Sequence, residues 1–86
     1  MTRYTVTYKQ SARADLARVW LDASDQAAVT ASAHKIDEEL AMDADKKGHP
    51  VGKRRVLFTS VLGALFSVSP DDRLVTVWTV RRIDGF

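Results

Sequence analysis

The C-terminal third of this 86-residue sequence most limits what the chain can fold into. Three short segments, at 55–60, 64–69 and 74–80, are rich in strand-preferring residues, and the connections between them are only a few residues long. Parallel strands need a crossover of a dozen or more residues, so connections this short require antiparallel neighbours. Residues 70–72, Pro-Asp-Asp, have the composition of a tight turn. The sequence therefore predicts a three-stranded antiparallel meander.

Ahead of the meander, the spacing of apolar residues changes from a strand period to a helical period. Residues 3–9 alternate between larger side chains and threonine, which predicts a first strand. Residues 12–23 follow helical spacing and place Trp20 on the apolar stripe, so we expect Trp20 to be in the core. A second amphipathic helix is predicted from Gln26 to about Asp45. Its apolar stripe consists of Val29, Ala33, Ile36 and Leu40.

These elements predict an α+β fold of β-α-α-β-β-β order in a single domain, 1–86. Residues 45–52, DKKGHPVG, are predicted to be a loop. The helices can bury their stripes only against one sheet face, which gives a two-layer sandwich with the helical hairpin on one face of the antiparallel meander. The opposite face stays partly open, and we expect function to be located there.

Composition excludes several classes of protein. The chain has no cysteine, which excludes a disulfide framework and cysteine-ligated zinc and fits a reducing compartment. Its two histidines, His34 and His49, do not have the spacing of a metal motif, and the sequence contains no phosphate-binding or dinucleotide-binding loop. No apolar run is long enough to cross a bilayer, and no signal peptide is recognisable. We therefore expect a cytoplasmic protein with no metal, cofactor or membrane partner.

Two tight basic groups are the strongest candidate binding feature. They are residues 53–55, Lys-Arg-Arg, which open the second predicted strand, and residues 81–82, Arg-Arg, which close the fourth. Adjacent strand residues point to opposite faces, so each group sends at least one arginine to the open face. Arginine suits phosphate and carboxylate recognition, although ordinary strand-end charges would look the same.

Trp78 is the other candidate on the open face. It alternates with Val75 and Val77, so the pattern places it with Thr76 and Val80, away from the helices. There it could stack on a nucleic-acid base or anchor a partner, or it could simply cover the sheet beneath a loop. The candidate anion- or partner-binding residues are therefore Lys53, Arg54, Arg55, Trp78, Arg81 and Arg82.

The element order carries a family resemblance over residues 3–82. With DLARVW in the first helix and VLFTSVLGALFSVSPDDRLVTVWTV as the closing meander, the chain resembles the RelE/ParE toxin superfamily. Its members are toxins of bacterial type II toxin–antitoxin modules, linked to plasmid stabilisation and stress response. The resemblance implies a toxin held inactive by a cognate antitoxin. The RelE branch cuts mRNA on the ribosome, and the ParE branch is associated with inhibition of DNA gyrase.

The nuclease positions of the RelE branch are mostly unmatched. Arg55 matches the basic position of the second strand, but the next inward position falls on Leu57. The third-strand arginine position falls on Ala64. The arginine after the last strand is matched by Arg82 or Arg81, and the tail tyrosine has no counterpart. The resemblance therefore implies the toxin fold more strongly than the nuclease.

Catalysis has few candidate groups in this sequence. RNA cleavage needs a base, an acid and a cation for the developing charge, and only His49 offers a base that titrates near neutrality. The leading hypothesis is a toxin that acts by binding, with ParE-type gyrase inhibition as its activity. One alternative is a metal-independent, ribosome-dependent mRNA endonuclease with His49, Arg55 and Arg82 as catalytic residues. The other is a non-toxic basic protein-interaction module of the same fold.

Overall fold

The computed structural model describes residues 1–85. Two helices pack on one face of a five-stranded sheet, and two short 3-10 turns follow the second helix and the last strand. Neither helix in the described part of the chain is long and apolar enough to span a membrane. In chain order the elements are β1 Thr5–Tyr8, α1 Gln10–Asp22, α2 Gln26–Leu40, β2 His49–Val51, β3 Arg54–Phe58, β4 Leu62–Ser69 and β5 Leu74–Arg82, with 3-10 turns at Ala44–Lys46 and Ile83–Gly85.

The strands lie in the order β1-β5-β4-β3-β2, and the predicted α+β fold class is confirmed. Strands β3, β4 and β5 are consecutive antiparallel hairpins. β1 adds to the far side of β5 in parallel, with Thr5 opposite Leu74. The prediction of a loop over 45–52 was incomplete, because Gly48 and Gly52 adopt positive φ values that bring β2 back alongside β3.

The second helix packs on the sheet as its stripe predicts. Val29, Ile36 and Leu40 are buried, and Ala33 is partly buried. The helix begins after Asp25, whose carboxylate accepts a hydrogen bond from the Ala28 amide at 3.1 Å. The sheet side of this core consists of Leu62, Ala64, Phe66, Val75, Val77 and Val80. The helical hairpin therefore covers one sheet face and leaves the other to solvent.

The expectation that Trp20 is a core residue is wrong. Its side chain is 40% exposed, and its indole Nε1 donates to Thr30 Oγ1 at 3.2 Å across the gap between the helices. Only Ala12 of α1 is fully buried, while Leu16 and Val19 are partly buried. The apolar stripe of α1 is wider than the strip that faces the sheet. Trp20 lies at its margin and faces α2.

A β-bulge in β5 changes which face its last residues occupy. Two consecutive residues of β4 pair with Val77 and Thr79, which leaves Trp78 between them as an extra residue. Val80 consequently points to the helix side and is 1% exposed, whereas strict alternation had placed it on the open face. Trp78 itself remains on the open face, because its indole reaches Ser67 there.

Candidate functional site

The face of the sheet opposite the helices, called the open face below, is defined by the strand register. In β3 the side chains of Arg54, Val56 and Phe58 point to this face, because the intervening residues point to the helices. Residues that pair on neighbouring strands point to the same face, so the register identifies the open-face residues of the other strands. Its other members are Thr5 and Thr7 of β1, His49 and Val51 of β2, Gly63, Leu65, Ser67 and Ser69 of β4, and Leu74, Thr76, Trp78, Thr79 and Arg81 of β5.

The two basic groups each divide between the faces of the sheet. Arg54 and Arg81 point to the open face, whereas Arg55 and Arg82 point to the helix side. Lys53 is exposed in the turn between β2 and β3. The open face therefore receives one arginine from each group.

The two open-face arginines lie at opposite ends of the sheet. Arg81 pairs with Gly63, and Gly63 pairs with Phe58 at the far end of β3 from Arg54. At ~3.3 Å per residue, the four steps from Arg54 to Phe58 along the five-residue β3 separate the two ends by about 13 Å. Arg54 and Arg81 therefore cannot hold the same small anion.

An apolar groove of about 450 Å³ occupies the middle of the open face. Val56 forms its floor and is 8% exposed, while Phe58 stands at its margin with 41% of its surface exposed. Arg81 is the charged residue at its rim. The remaining lining residues are Val51, Leu65 and Thr79.

Arg55 holds the backbone of the segment before β2. Its Nε donates to the Lys47 carbonyl at 2.6 Å, and a terminal nitrogen donates to the Gly48 carbonyl at 3.2 Å. The Lys47 ammonium in turn binds Glu39 of α2 at 2.8 Å and holds the pKa of that carboxyl below its ordinary range, together with Lys35. Arg55 therefore links the start of β2 to the helical layer and commits two of its five N–H donors to backbone carbonyls.

The other residues of the nuclease alternative are not gathered around one point. His49 begins the edge strand β2 opposite Val56, and it is exposed on the open face. Arg82 points to the helix side and forms a long, exposed ion pair with Asp84 at 3.6 Å. The sheet separates His49 from both Arg55 and Arg82.

Trp78 forms a compact cluster with two cations at the Arg54 end of the open face. The Arg54 guanidinium carbon lies 4.1 Å from the centre of its ring, and the Lys9 ammonium lies 4.9 Å from it. The indole Nε1 donates to Ser67 Oγ at 2.8 Å. Lys9 was not a candidate from the sequence, since it stands far from both basic groups along the chain. Only the parallel pairing of β1 with β5 reveals it.

A second surface, the helical groove, lies between α1 and α2 and was also missed. This cavity of about 620 Å³ is lined mainly by apolar side chains. Tyr8 donates a hydrogen bond to Asp37 at 2.5 Å in its floor, and burial together with this bond raises the pKa of the tyrosine. Leu21, 70% exposed beside Trp20, was the available sequence signal, because it extends the apolar surface of α1 beyond one stripe.

This chain resembles solved structures in its fold, whereas comparisons of its sequence find no match. No protein-family model matches the chain, and no curated protein matches it in sequence. The RelBE2 toxin–antitoxin complex from Mycobacterium tuberculosis contains a chain that superposes with a TM-score of 0.78 at 16% identity, over 94% of this chain and 99% of that one. The chromosomal ParDE toxin–antitoxin system from P. aeruginosa gives a TM-score of 0.71 at 16% identity, over 94% and 97%. The chain therefore has the fold of the RelE/ParE toxins.

Proposed function

We propose that this chain is the toxin of a type II toxin–antitoxin pair, that a cognate antitoxin neutralises it, and that it acts on its target by binding. The observation that carries the proposal is the open face. An apolar groove there ends at Arg81, and a separate cationic cluster stands at the other end. Apolar centres with charged margins are typical of protein-binding surfaces.

The placement of the arginines favours binding over RNA cleavage. A cleavage site needs a base, an acid and a cation around one phosphate. Arg55 points away from His49 and uses two of its donors on backbone carbonyls, and Arg82 also lies on the helix side. We therefore propose a protein target for the open face, with DNA gyrase, the target associated with the ParE branch, as the first to test.

The helical groove supports a separate place for the antitoxin. Its walls carry Trp20 and Leu21, whose exposed apolar surface would be covered by the apolar face of a partner helix. Tryptophan is among the residues that contribute most to binding energy at protein interfaces. Antitoxin and target would then occupy opposite sides of the molecule.

The test is a set of variants that separates toxicity from neutralisation. The chain is expressed in bacteria with and without the adjacent gene, which under this proposal encodes the antitoxin, and growth is recorded. We expect Arg81→Glu to abolish growth arrest and retain antitoxin binding. Leu21→Glu should retain growth arrest and lose neutralisation. Lys35→Glu, which reverses an exposed charge on α2, is the matched control and should change neither.

The molecular target is tested in the same cells. Gyrase inhibition predicts altered plasmid supercoiling together with intact mRNA, and His49→Ala should leave toxicity unchanged. Codon-aligned mRNA cuts that disappear in His49→Ala would instead establish the endonuclease alternative. Normal growth on expression of the unmodified chain would favour the non-toxic interaction module.

A further inference from the structure

Three separate elements bring two cations to one aromatic ring on the open face. Trp78 lies in the bulge of β5, Arg54 begins β3, and Lys9 stands between β1 and α1. The distances of 4.1 Å and 4.9 Å from the ring centre place the two charged groups within about 9 Å of each other. Contacts at these distances are cation–π interactions.

Hydrogen bonds hold both the ring and the backbone of Trp78. Its Nε1 donates to Ser67 Oγ at 2.8 Å, and the Trp78 carbonyl accepts a hydrogen bond from Ser11 Oγ at 3.2 Å. The Lys9 amide donates to the Val77 carbonyl at 2.9 Å, which places the lysine backbone beside the bulge. Trp78 therefore positions both cations before any ligand arrives.

Within residues 1–85, no acidic side chain forms an ion pair with this cluster. Four ion pairs occur within residues 1–85, and none of them includes Lys9 or Arg54. Like charges within this distance repel each other, and an anion that contacts either group offsets that repulsion. Lys9 is also the residue that precedes the first turn of α1, so the positive end of the helix dipole adds to the same corner.

Neutral donors stand beside the cations. Ser67 pairs with Thr76, so two hydroxyl-bearing side chains lie side by side on β4 and β5 of the open face. The neighbouring Thr7 of β1 donates its hydroxyl to the Val75 carbonyl at 3.1 Å. Lysine, arginine and hydroxyl donors together are the set that contacts phosphate oxygens in protein–nucleic acid complexes.

We propose that Lys9 and Arg54, held over Trp78, form a binding site for a phosphate group. A single arginine can satisfy a planar carboxylate through two parallel hydrogen bonds, whereas a tetrahedral phosphate accepts donors from several directions. Here the donors come from three strands, β3, β4 and β5, and from the start of α1. Trp78 is a positioning residue at this site, because the two cations already lie over the ring that a base would need for stacking. The site requires neither toxicity nor an antitoxin.

The experiment measures binding by the purified full chain in a Trp20→Phe background, where Trp78 is the only tryptophan and its emission reports on the site. The probes are inorganic phosphate, a short single-stranded oligonucleotide and a poly-glutamate peptide. We expect Lys9→Gln and Arg54→Gln each to weaken oligonucleotide binding by about tenfold. Each should also reduce the slope of log affinity against log salt by about 0.7. Lys35→Gln is the control and should bind as the parent does.

Two further variants test the positioning role of Trp78. Trp78→Phe keeps an aromatic face for the cations and should retain most of the affinity and the salt slope. Trp78→Leu removes that face and should weaken binding as much as the loss of one cation. A Trp78→Leu protein that binds like the parent would overturn the positioning role. These two variants lack the reporting tryptophan, so their binding is followed by the anisotropy of a labelled oligonucleotide.

The probes distinguish the source of the phosphate. If inorganic phosphate displaces the oligonucleotide at similar concentrations, the ligand is a free phosphate compound. If displacement needs far higher concentrations, the ligand is a polynucleotide backbone. Unchanged binding in both Lys9→Gln and Arg54→Gln would overturn the proposal. Tighter binding of poly-glutamate, lost in the same variants, would also overturn it and would identify an acidic protein segment as the ligand.

Discussion

Replacing Arg55 with alanine should destabilise the fold, although the sequence marks this residue as a candidate for catalysis. The substitution removes the hydrogen bonds at 2.6 Å and 3.2 Å to the Lys47 and Gly48 carbonyls. Hydrogen bonds from a charged donor contribute about 1.5–3 kcal/mol, and the site is only half-buried, so we expect a loss of about 2–3 kcal/mol for the pair. This would be a large fraction of the stability of a domain of this size.

Urea denaturation followed by tryptophan emission measures this loss. With a denaturant slope of about 1 kcal/mol per molar urea, the unfolding midpoint should fall by about 2–3 M with no change in slope. The matched control is Arg54→Ala, one residue away on the open face, where a cation–π contact contributes only about 0.5–1 kcal/mol. Arg55→Lys keeps the charge but loses the planar pair of donors, and its midpoint should lie between those of Arg55→Ala and the parent.

Equal midpoints for Arg55→Ala and Arg54→Ala would refute this reasoning. Arg55 would then be free to act on a ligand, and the nuclease alternative would regain one of its residues. A loss of toxicity in Arg55→Ala without any loss of stability would lead to the same conclusion.

Three further outcomes are expected. Trp20→Ala should lower the unfolding free energy by about 1–2 kcal/mol, below the ~3–5 kcal/mol lost with a fully buried aromatic, because the Trp20 side chain is 40% exposed. A larger loss, measured by urea denaturation, would show that Trp20 is a core residue. Gly48→Ala should lower the unfolding free energy by more than about 3 kcal/mol, because the new Cβ would lie 2.3 Å from a backbone oxygen of β3. Gly52→Ala meets open space and should lose only the ~1 kcal/mol that its positive φ costs. Similar melting temperatures for the two variants would contradict this geometry. The Thr2 amide holds the pKa of the Asp43 carboxyl below its ordinary 3.8, so the ionised carboxylate stabilises the fold above that pH, and this stability is lost as the pH falls below it. Asp43→Asn should therefore flatten the decline in melting temperature between about pH 5 and pH 3. An unchanged decline would exclude Asp43 as the source of the pH dependence.

The sequence predicts the packing of α2 because that helix has a single buried face. Val29, Ile36 and Leu40 recur at helical spacing and all pack on the sheet. In α1 the apolar positions cover a wider arc, and spacing alone cannot tell which of them face the sheet. That is why Trp20, with Thr30 as its hydrogen-bond partner, was assigned to the wrong side.

The candidate site was less predictable because its geometry depends on strand register. The basic groups were recognisable, but only the pairings of Arg81 with Gly63 and of Gly63 with Phe58 show that they lie at opposite ends of the sheet. A bulge is also invisible in a period-two pattern, which is why Val80 was placed on the wrong face. The contribution of Lys9 depends on a parallel pairing that no local signal indicates.

The position of β5 between β1 and β4 also decides when the open face forms. β1 can join the sheet only through β5, with Thr5 pairing with Leu74, so the first strand must wait for almost the whole chain before it has a partner. Contacts this distant in sequence form slowly, because closing the long intervening chain costs conformational entropy before the contact gains any energy. Trp78 and Arg81 both lie on this late strand. A chain still being synthesised therefore lacks both ends of the open face, and any activity carried there begins only when the last strand has entered the sheet.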